Sequence, residues 1–464
     1  MRGRLTRVLL LSVLWAGPTL RGGGRALGAG GLPPAADLPH LLTLDDALRI
    51  WREHGLDLLI AEAAVKTSEG AVLIAGAIQN PVANASVMNA FTYQWTKAGD
   101  ADCNKNGAVC TPWGYSFGLS DSAAIEDSLS GKRDLRLKVA RNALAAAKMS
   151  RVDAARTIGF QVKSTYLQVA QAQLALRFAR DVATTQATTL KKFQDRYKAG
   201  AISEGDLQRI EVAKLEADQT VDNAESTLRQ ARAALALLLG VRGNVPEFDA
   251  DTKVLDYSEP TGVHRTSAFN LVQTAFDLRP DLISTAYLRA SAEAQLQLVR
   301  RQKFPDVTLG LNYQWGGTAG WSVDNSIVSP LLTLSLSAPI PFFYQLQGEE
   351  RQAQAQRESA ALQHAKSTAQ VASDVTSGFA ALEAARKLVE RMEGPRRQGG
   401  GLLESAKGSF DIAAAQYDKG AASLTDYLDA LRTYIATKNE YFGDLATYWT
   451  SVFQLEAAVG KDLR

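Results

Sequence analysis

The carboxylates best placed to act together follow two short turns. Asp426 and Asp429 are three positions apart, a spacing that sets both on one face of a helix. Grouped in this way they could attract cations and repel anions. Asp206 holds the matching place in an earlier copy of the same pattern. There, Tyr197-Lys198-Ala199-Gly200 precedes Ser203-x-x-Asp206; later, Tyr417-Asp418-Lys419-Gly420 precedes Ser423-x-x-Asp426. In both, the glycine reads as the stop of one helix and the Ser-x-x-Asp as a capping box that opens the next. Capping gives Asp206 and Asp426 a structural task. Asp429 lies beyond the first turn, where no cap requires it, so it carries the stronger functional expectation.

No other cluster suggests catalysis. His40, His54, His264 and His364 are scattered, and neither a phosphate-cradling P-loop nor a nucleophile elbow appears. No cofactor or metal centre is expected, and no enzymatic activity. A net charge of +2 over 464 residues, without long basic runs, offers nucleic acid no electrostatic footing. Near the start, Arg2, Arg4 and Arg7 precede the apolar run Val8 to Trp15, and small residues follow. This order predicts a secretory signal over about residues 1–30, against a buried N-terminal helix. No cysteine stands near the cleavage zone, so a lipid anchor there is not expected. In an exported chain, Cys103 and Cys110 most simply form one disulfide; a metal pair would lack a nearby histidine. Around them Asp102-x-Asn104-x-Asn106-Gly107 begins like a calcium loop, but Trp113 stands where a glutamate is needed. It reads as a polar turn.

The elements that would position the acidic turns are written twice. Asp57-Leu58, Glu69 and Pro81 return as Asp281-Leu282, Glu293 and Pro305, each 224 residues later. Tyr93-Gln94-Trp95 returns as Tyr313-Gln314-Trp315 at a spacing of 220, which the turn motifs and Gly240/Gly460 share. Two tandem repeats follow, 41–245 and 265–464, with a linker over 246–264. Each begins with an amphipathic helix (44–79; 267–303), continues through two strands, and ends in a long helix and its return. From Lys132 to Lys198 there is no proline and one glycine, Gly159; an unbroken helix there would be about 100 Å long. The return helix, Ser203 to Leu239, and the segment Asp57 to Gln79 would together nearly match that rod. In the second repeat Gly394-Pro395 and Gly399-Gly400-Gly401 interrupt the long helix.

The strands alternate with a period of two. Val307, Leu309, Leu311, Tyr313 and Trp315 share one face; Trp113, Tyr115, Phe117 and Leu119 another; Leu332, Leu334 and Leu336 a third. In the remaining strand Val87, Phe91, Tyr93 and Trp95 share a face that Asn89 interrupts. Between them lie small uncharged residues, and the aromatics gather toward one end. Apolar-out, small-polar-in alternation with an aromatic girdle (Tyr93, Trp95, Trp113, Tyr313, Trp315) points to membrane strands. A half-buried sheet in a soluble sandwich shares the alternation. Four strands cannot close a barrel when the smallest have about eight, and open edges in lipid leave backbone groups unpaired. A membrane form must therefore oligomerise, the physics leaving the copy number open.

The repeat, the strand pairs and the turn motifs together resemble the TolC family of outer-membrane efflux proteins. Leu42-Thr43-Leu44-Asp45-Asp46-Ala47-Leu48 is similar to that family's opening, Gln79-Asn80-Pro81 to its motif before the first strand, and Tyr417 to Asp429 to its second hairpin tip. The opening motifs lean toward the metal-cation and multidrug branches. The resemblance implies a mainly α fold with a small transmembrane β part: a homotrimer sharing a β-barrel in the outer membrane and a long helical barrel in the periplasm. It implies an exit duct that docks on a periplasmic adaptor and an inner-membrane pump. It further implies that Asp206, Asp426 and Asp429 ring a constriction, and that Tyr197, Gly200, Ser203, Tyr417, Gly420 and Ser423 form the tip turns an adaptor meets. One departure stands out: Ala422 occupies the place of an arginine that locks the family's best-studied gate, so closure must use other contacts, Tyr417 among them. The competing expectation is a soluble periplasmic coiled-coil scaffold or adaptor, which would not need two pairs of alternating strands.

Overall fold

A computed structural model describes residues 35–89, 113–260, 262, 266–316, 330–394, 400–419 and 421–463. The signal segment, Tyr93, Trp95, Cys103, Cys110 and Gly420 lie outside the described residues. In the first half the order is β1 (Leu41–Leu42), α1 (Leu44–His54), α2 (Leu56–Gly76), β2 (Val82–Asn89), β3 (Trp113–Ser120), α3 (Ala124–Leu129), α4 (Lys132–Lys198), α5 (Glu204–Leu238) and β4 (Asp249–Ala250). The second half repeats it as α6 (Ala268–Leu278), α7 (Pro280–Gln302), β5 (Thr308–Gly316), β6 (Leu331–Ser337), α8 (Gln347–Glu393), α9 (Leu402–Asp418) and α10 (Leu424–Val459).

The rod is α4, 67 residues without a break. Both α2 and α5 lie along it, so one continuous helix is flanked by two shorter ones. In the second repeat α8 and α9 together take the place of the rod and α10 packs on both, while α7 joins the halves by contacting α4 and α8. The division between α8 and α9 falls at the glycines read from the sequence: Gly394 (φ 83°) ends α8 and Gly401 precedes α9.

The opening helices differ from the single elements expected over 44–79 and 267–303. Each is two helices hinged on one extended residue, Gly55 (ψ 118°) in the first repeat and Arg279 (ψ 118°) in the second. Pro280 explains the second hinge: its ring disfavours the helical conformation in the residue before it and begins α7 without needing an N–H. Arg279 turns inward there. It forks onto Asp281 at 2.9 and 2.5 Å and reaches Asp374 on α8 at 2.7 Å, with its side chain 4% exposed. Burial works against its charge, but the two carboxylates outweigh it and hold the guanidinium firmly protonated.

The main core lies at this level, where α1, α4, α5, α6, α8 and α10 meet. Tyr166 on α4 is wholly buried in it; its hydroxyl donates to the Leu42 carbonyl at 2.8 Å and accepts from the Asp251 N–H at 3.0 Å. That hydroxyl ties α4 to the short parallel pairing of β1 with β4, in which Leu41 faces Asp249. A smaller core around Phe193, Ile210, Tyr427 and Leu431 holds the far end of the helices together.

The remaining strands form one antiparallel sheet in the order β2-β3-β5-β6. Its register aligns the apolar face from strand to strand: Val87 opposite Tyr115 opposite Trp315, then Ala85, Phe117, Tyr313 and Leu332, then Ala83, Leu119, Leu311 and Leu334. The other face aligns Ser86, Ser116 and Gln314, then Asn84, Gly118, Asn312 and Thr333.

Candidate functional site

At the tips the backbone follows from the turn residues. Gly200 adopts φ 70°, the left-handed region glycine enters without strain. Its N–H donates to the Tyr197 carbonyl at 2.9 Å, and the Ala201 N–H donates to the Arg196 carbonyl at 2.9 Å, closing off the end of α4. The second tip repeats this bond with the Ala421 N–H on the Gln416 carbonyl at 2.8 Å. Ser203 then caps α5, accepting from the Asp206 N–H at 3.1 Å and donating its hydroxyl to the Asp206 carboxylate at 2.8 Å. Ser423 forms the full reciprocal box. Its Oγ accepts from the Asp426 N–H at 3.2 Å, and Asp426 Oδ2 accepts from both the Ser423 hydroxyl (2.8 Å) and its backbone N–H (3.1 Å).

These bonds fix Asp426 in charge as well as place. The Ser423 hydroxyl, then its backbone N–H, hold the Asp426 carboxyl below the usual range. Along α10 the buried positions are Leu424, Tyr427, Leu428 and Leu431, whereas Asp426 and Asp429 are both exposed. The packed face thus turns the two carboxylates out together, with Asp429 free of any capping bond among those described. Asp206 is half-buried at the neighbouring tip of the first repeat.

The ties between the two tips join Tyr417, named from the sequence, to residues that the sequence reading passed over. Tyr417 stacks flat on Phe193 of α4 (centroids 5.5 Å) and tilts against Tyr427 (5.7 Å). Arg196 lies over the Tyr417 ring at 5.8 Å and pairs with Asp418 at 3.7 Å. Between the return helices, Arg209 donates to the Thr425 hydroxyl at 3.4 Å and Arg432 pairs with Glu216 at 3.4 Å. Ala422 offers no such bond, so arginines at other positions link the two repeats. Their signal in the sequence was the matched pair of turns itself: equivalent helices lying side by side bring Arg209 and Thr425, 216 residues apart, to one level.

At the sheet the apolar face is open. Trp113, Tyr115, Phe117, Leu119, Leu311, Tyr313, Trp315, Leu332, Leu334 and Leu336 are all more than 40% exposed. Tyr115 and Trp315 stack at 6.0 Å toward one end of the strands, with the leucines toward the other. The partner of Trp315 in the stack, Tyr115, is one the expected girdle did not include, while Trp113, Tyr313 and Trp315 of that girdle fall within the described residues. No helix among these residues is long and apolar enough to cross a membrane. The strands, 7 to 9 residues long, provide the apolar surface instead.

The profile of the family described as outer membrane efflux protein matches residues 48–241 and again 271–461. The cobalt-zinc-cadmium resistance protein CzcC of Cupriavidus metallidurans is 22% identical over 420 residues, covering 90% of each chain. The pyoverdine export outer membrane protein OpmQ of Pseudomonas aeruginosa is 26% identical over 431 residues, covering 90% of this chain and 83% of its own. In fold, the chain is similar to the CmeC outer membrane channel of Campylobacter jejuni: TM-score 0.70 at 16% identity, over 91% of this chain and 86% of that one. Two repeats of strand pair and helical hairpin, an exposed apolar sheet and a profile matched in both halves lead to one conclusion: the chain belongs to the outer membrane efflux protein family, channels of the outer membrane that reach into the periplasm and carry no catalysis.

Proposed function

We propose that the acidic tips of this chain line the narrow periplasmic end of a channel made from three copies. Asp429 is the main selective group, Asp426 adds to it, and Asp206 supplies the first repeat's share. The observation that carries the reading is the exposure of Asp426 and Asp429 on one face of α10 while the opposite face is packed. Three copies of each would concentrate negative charge and favour cations. The tip turns at Tyr197, Gly200 and Ser203, and at Tyr417, Gly420 and Ser423, would meet a periplasmic adaptor, through which an inner-membrane pump delivers its cargo. Closure would rest on the Phe193–Tyr417 stack and on Arg196, Arg209 and Arg432, in place of an arginine at Ala422.

Single-channel recording in a salt gradient tests the ring. Asp429→Asn leaves the cap of α10 intact and should lower the cation-to-anion permeability ratio at least about twofold. Adding Asp426→Asn should lower it further. An unchanged reversal potential in the double variant would remove these carboxylates from the pore.

A further inference from the structure

Between the two repeats the helical wall is hollow. A cavity of about 520 Å³ lies where α4, α5 and α10 converge, within the size range of small-molecule sites. One end is aromatic, where Phe178 and Phe442 meet edge to face with centroids 6.1 Å apart. The buried leucines Leu428 and Leu431 also line it, and short side chains such as Ala217 leave the space open. Two charged residues belong to the lining, Glu216 and Arg432, and they pair with each other at 3.4 Å. The cavity therefore has no net charge to offer an ionic ligand. Gln186 lines it as well. That side chain is 2% exposed, and its Oε1 accepts no hydrogen bond among the described residues. A buried carbonyl oxygen without a donor is unfavourable, and a bound O–H or N–H would relieve it.

We propose that this cavity binds a small, uncharged aromatic molecule carrying one hydrogen-bond donor, with its ring between the aromatic end at Phe178 and the leucine end at Leu431 and its donor on Gln186 Oε1. The site begins beside the acidic tip, on the packed face of α10 that carries Leu428 and Leu431, and its argument does not depend on the role of Asp426 and Asp429 in the pore. Because α4 and α5 belong to the first repeat and α10 to the second, an occupant also joins the repeats. Ligand that binds only this arrangement stabilises it by mass action.

The test is calorimetric titration of the full-length, assembled protein in detergent with 2-naphthol and with naphthalene, which differ by one hydroxyl. The wild type should bind 2-naphthol saturably, one molecule per chain, and naphthalene about tenfold more weakly. Gln186→Leu should bring 2-naphthol down to the affinity of naphthalene. Ala217→Trp, which fills the cavity, should abolish saturable binding of both. If that variant does not assemble, Ala179→Leu combined with Ala224→Leu fills the same space by smaller steps. Saturable binding that survives filling would place the ligand elsewhere and overturn the proposal. Equal affinity for the two probes would overturn the role of Gln186, and absence of saturable heat above the empty-micelle control would overturn the site.

Discussion

Asp426 is held by two donors from one residue, and that arrangement sets how its charge responds to acid. Its carboxyl lies below the ordinary aspartate value of about 3.9. Its negative charge is therefore full above that pH and is lost only as pH falls through the lower value. The share of the cation preference that Asp426 adds should persist as the bath is acidified to about pH 4. In Ser423→Ala the hydroxyl donor is gone while the backbone N–H remains, so the preference should begin to fade at a higher pH. Reversal potentials measured across a pH series decide this, and superimposable profiles would detach Asp426 from selectivity. The box was legible because Ser423 and Asp426 are three residues apart. Arg279 was not, because one of its carboxylates, Asp374, lies 95 positions away on another helix. Removing it in Arg279→Ala leaves Asp281 and Asp374 without their shared cation beside the core, Asp374 keeping only its bond from Gln370, and should cost about 3 kcal/mol, measured by denaturant unfolding. Asp281 is itself depressed: burial pushes its carboxyl up, and Arg279 more than reverses this. The pair's contribution is thus complete above about pH 4 and disappears in acid, where wild type and variant should converge.

Elements with a long, regular pattern were readable end to end. The proline-free run from Lys132 to Lys198 is α4, and the strand faces alternate as the sequence alternates. The hinges at Gly55 and Arg279 each interrupt the helix by a single extended residue, too short a break to separate two elements in the sequence. The β1–β4 pairing joins two residues to two others over 200 positions apart, so no periodicity marks it. Nor did alternation alone show why the sheet carries glycines on its polar face. Gly118 lies between Asn84 and Asn312, and a Cβ there would fall 2.1 Å from Asn84 Oδ1. A side chain at that point must displace the side-chain amides of Asn84 and Asn312, while no backbone atom of β2 or β5 stands in its way. Gly118→Val should therefore still reach the membrane fraction with the heat-dependent shift in gel mobility of a closed β-barrel. Loss of that shift would show that the two amides cannot turn aside and that the glycine is required for the strands to pair.

At the scale of the whole molecule, the four-stranded sheet sets the assembly. β2 and β6 are its edges, and each needs a partner strand if the sheet is to lie in lipid. Two copies would provide about eight strands, the smallest closed barrel, whose interior side chains fill. The residues facing away from the apolar surface here are Gly114, Ser116, Gly118, Asn312, Gln314, Thr333 and Ser335. They are polar or glycine and uncharged, suited to lining water in a wider barrel rather than to packing a narrow one. With three copies the same edges close a barrel of about twelve strands with an open lumen. Light scattering of the unboiled protein, corrected for bound detergent, should therefore give three chains per particle, falling to one on boiling. Two chains would mean a plugged barrel and would remove the channel from this sheet. A single detergent-independent chain would mean that the apolar face is covered by something other than lipid, and the acidic tips would then have no constriction to ring.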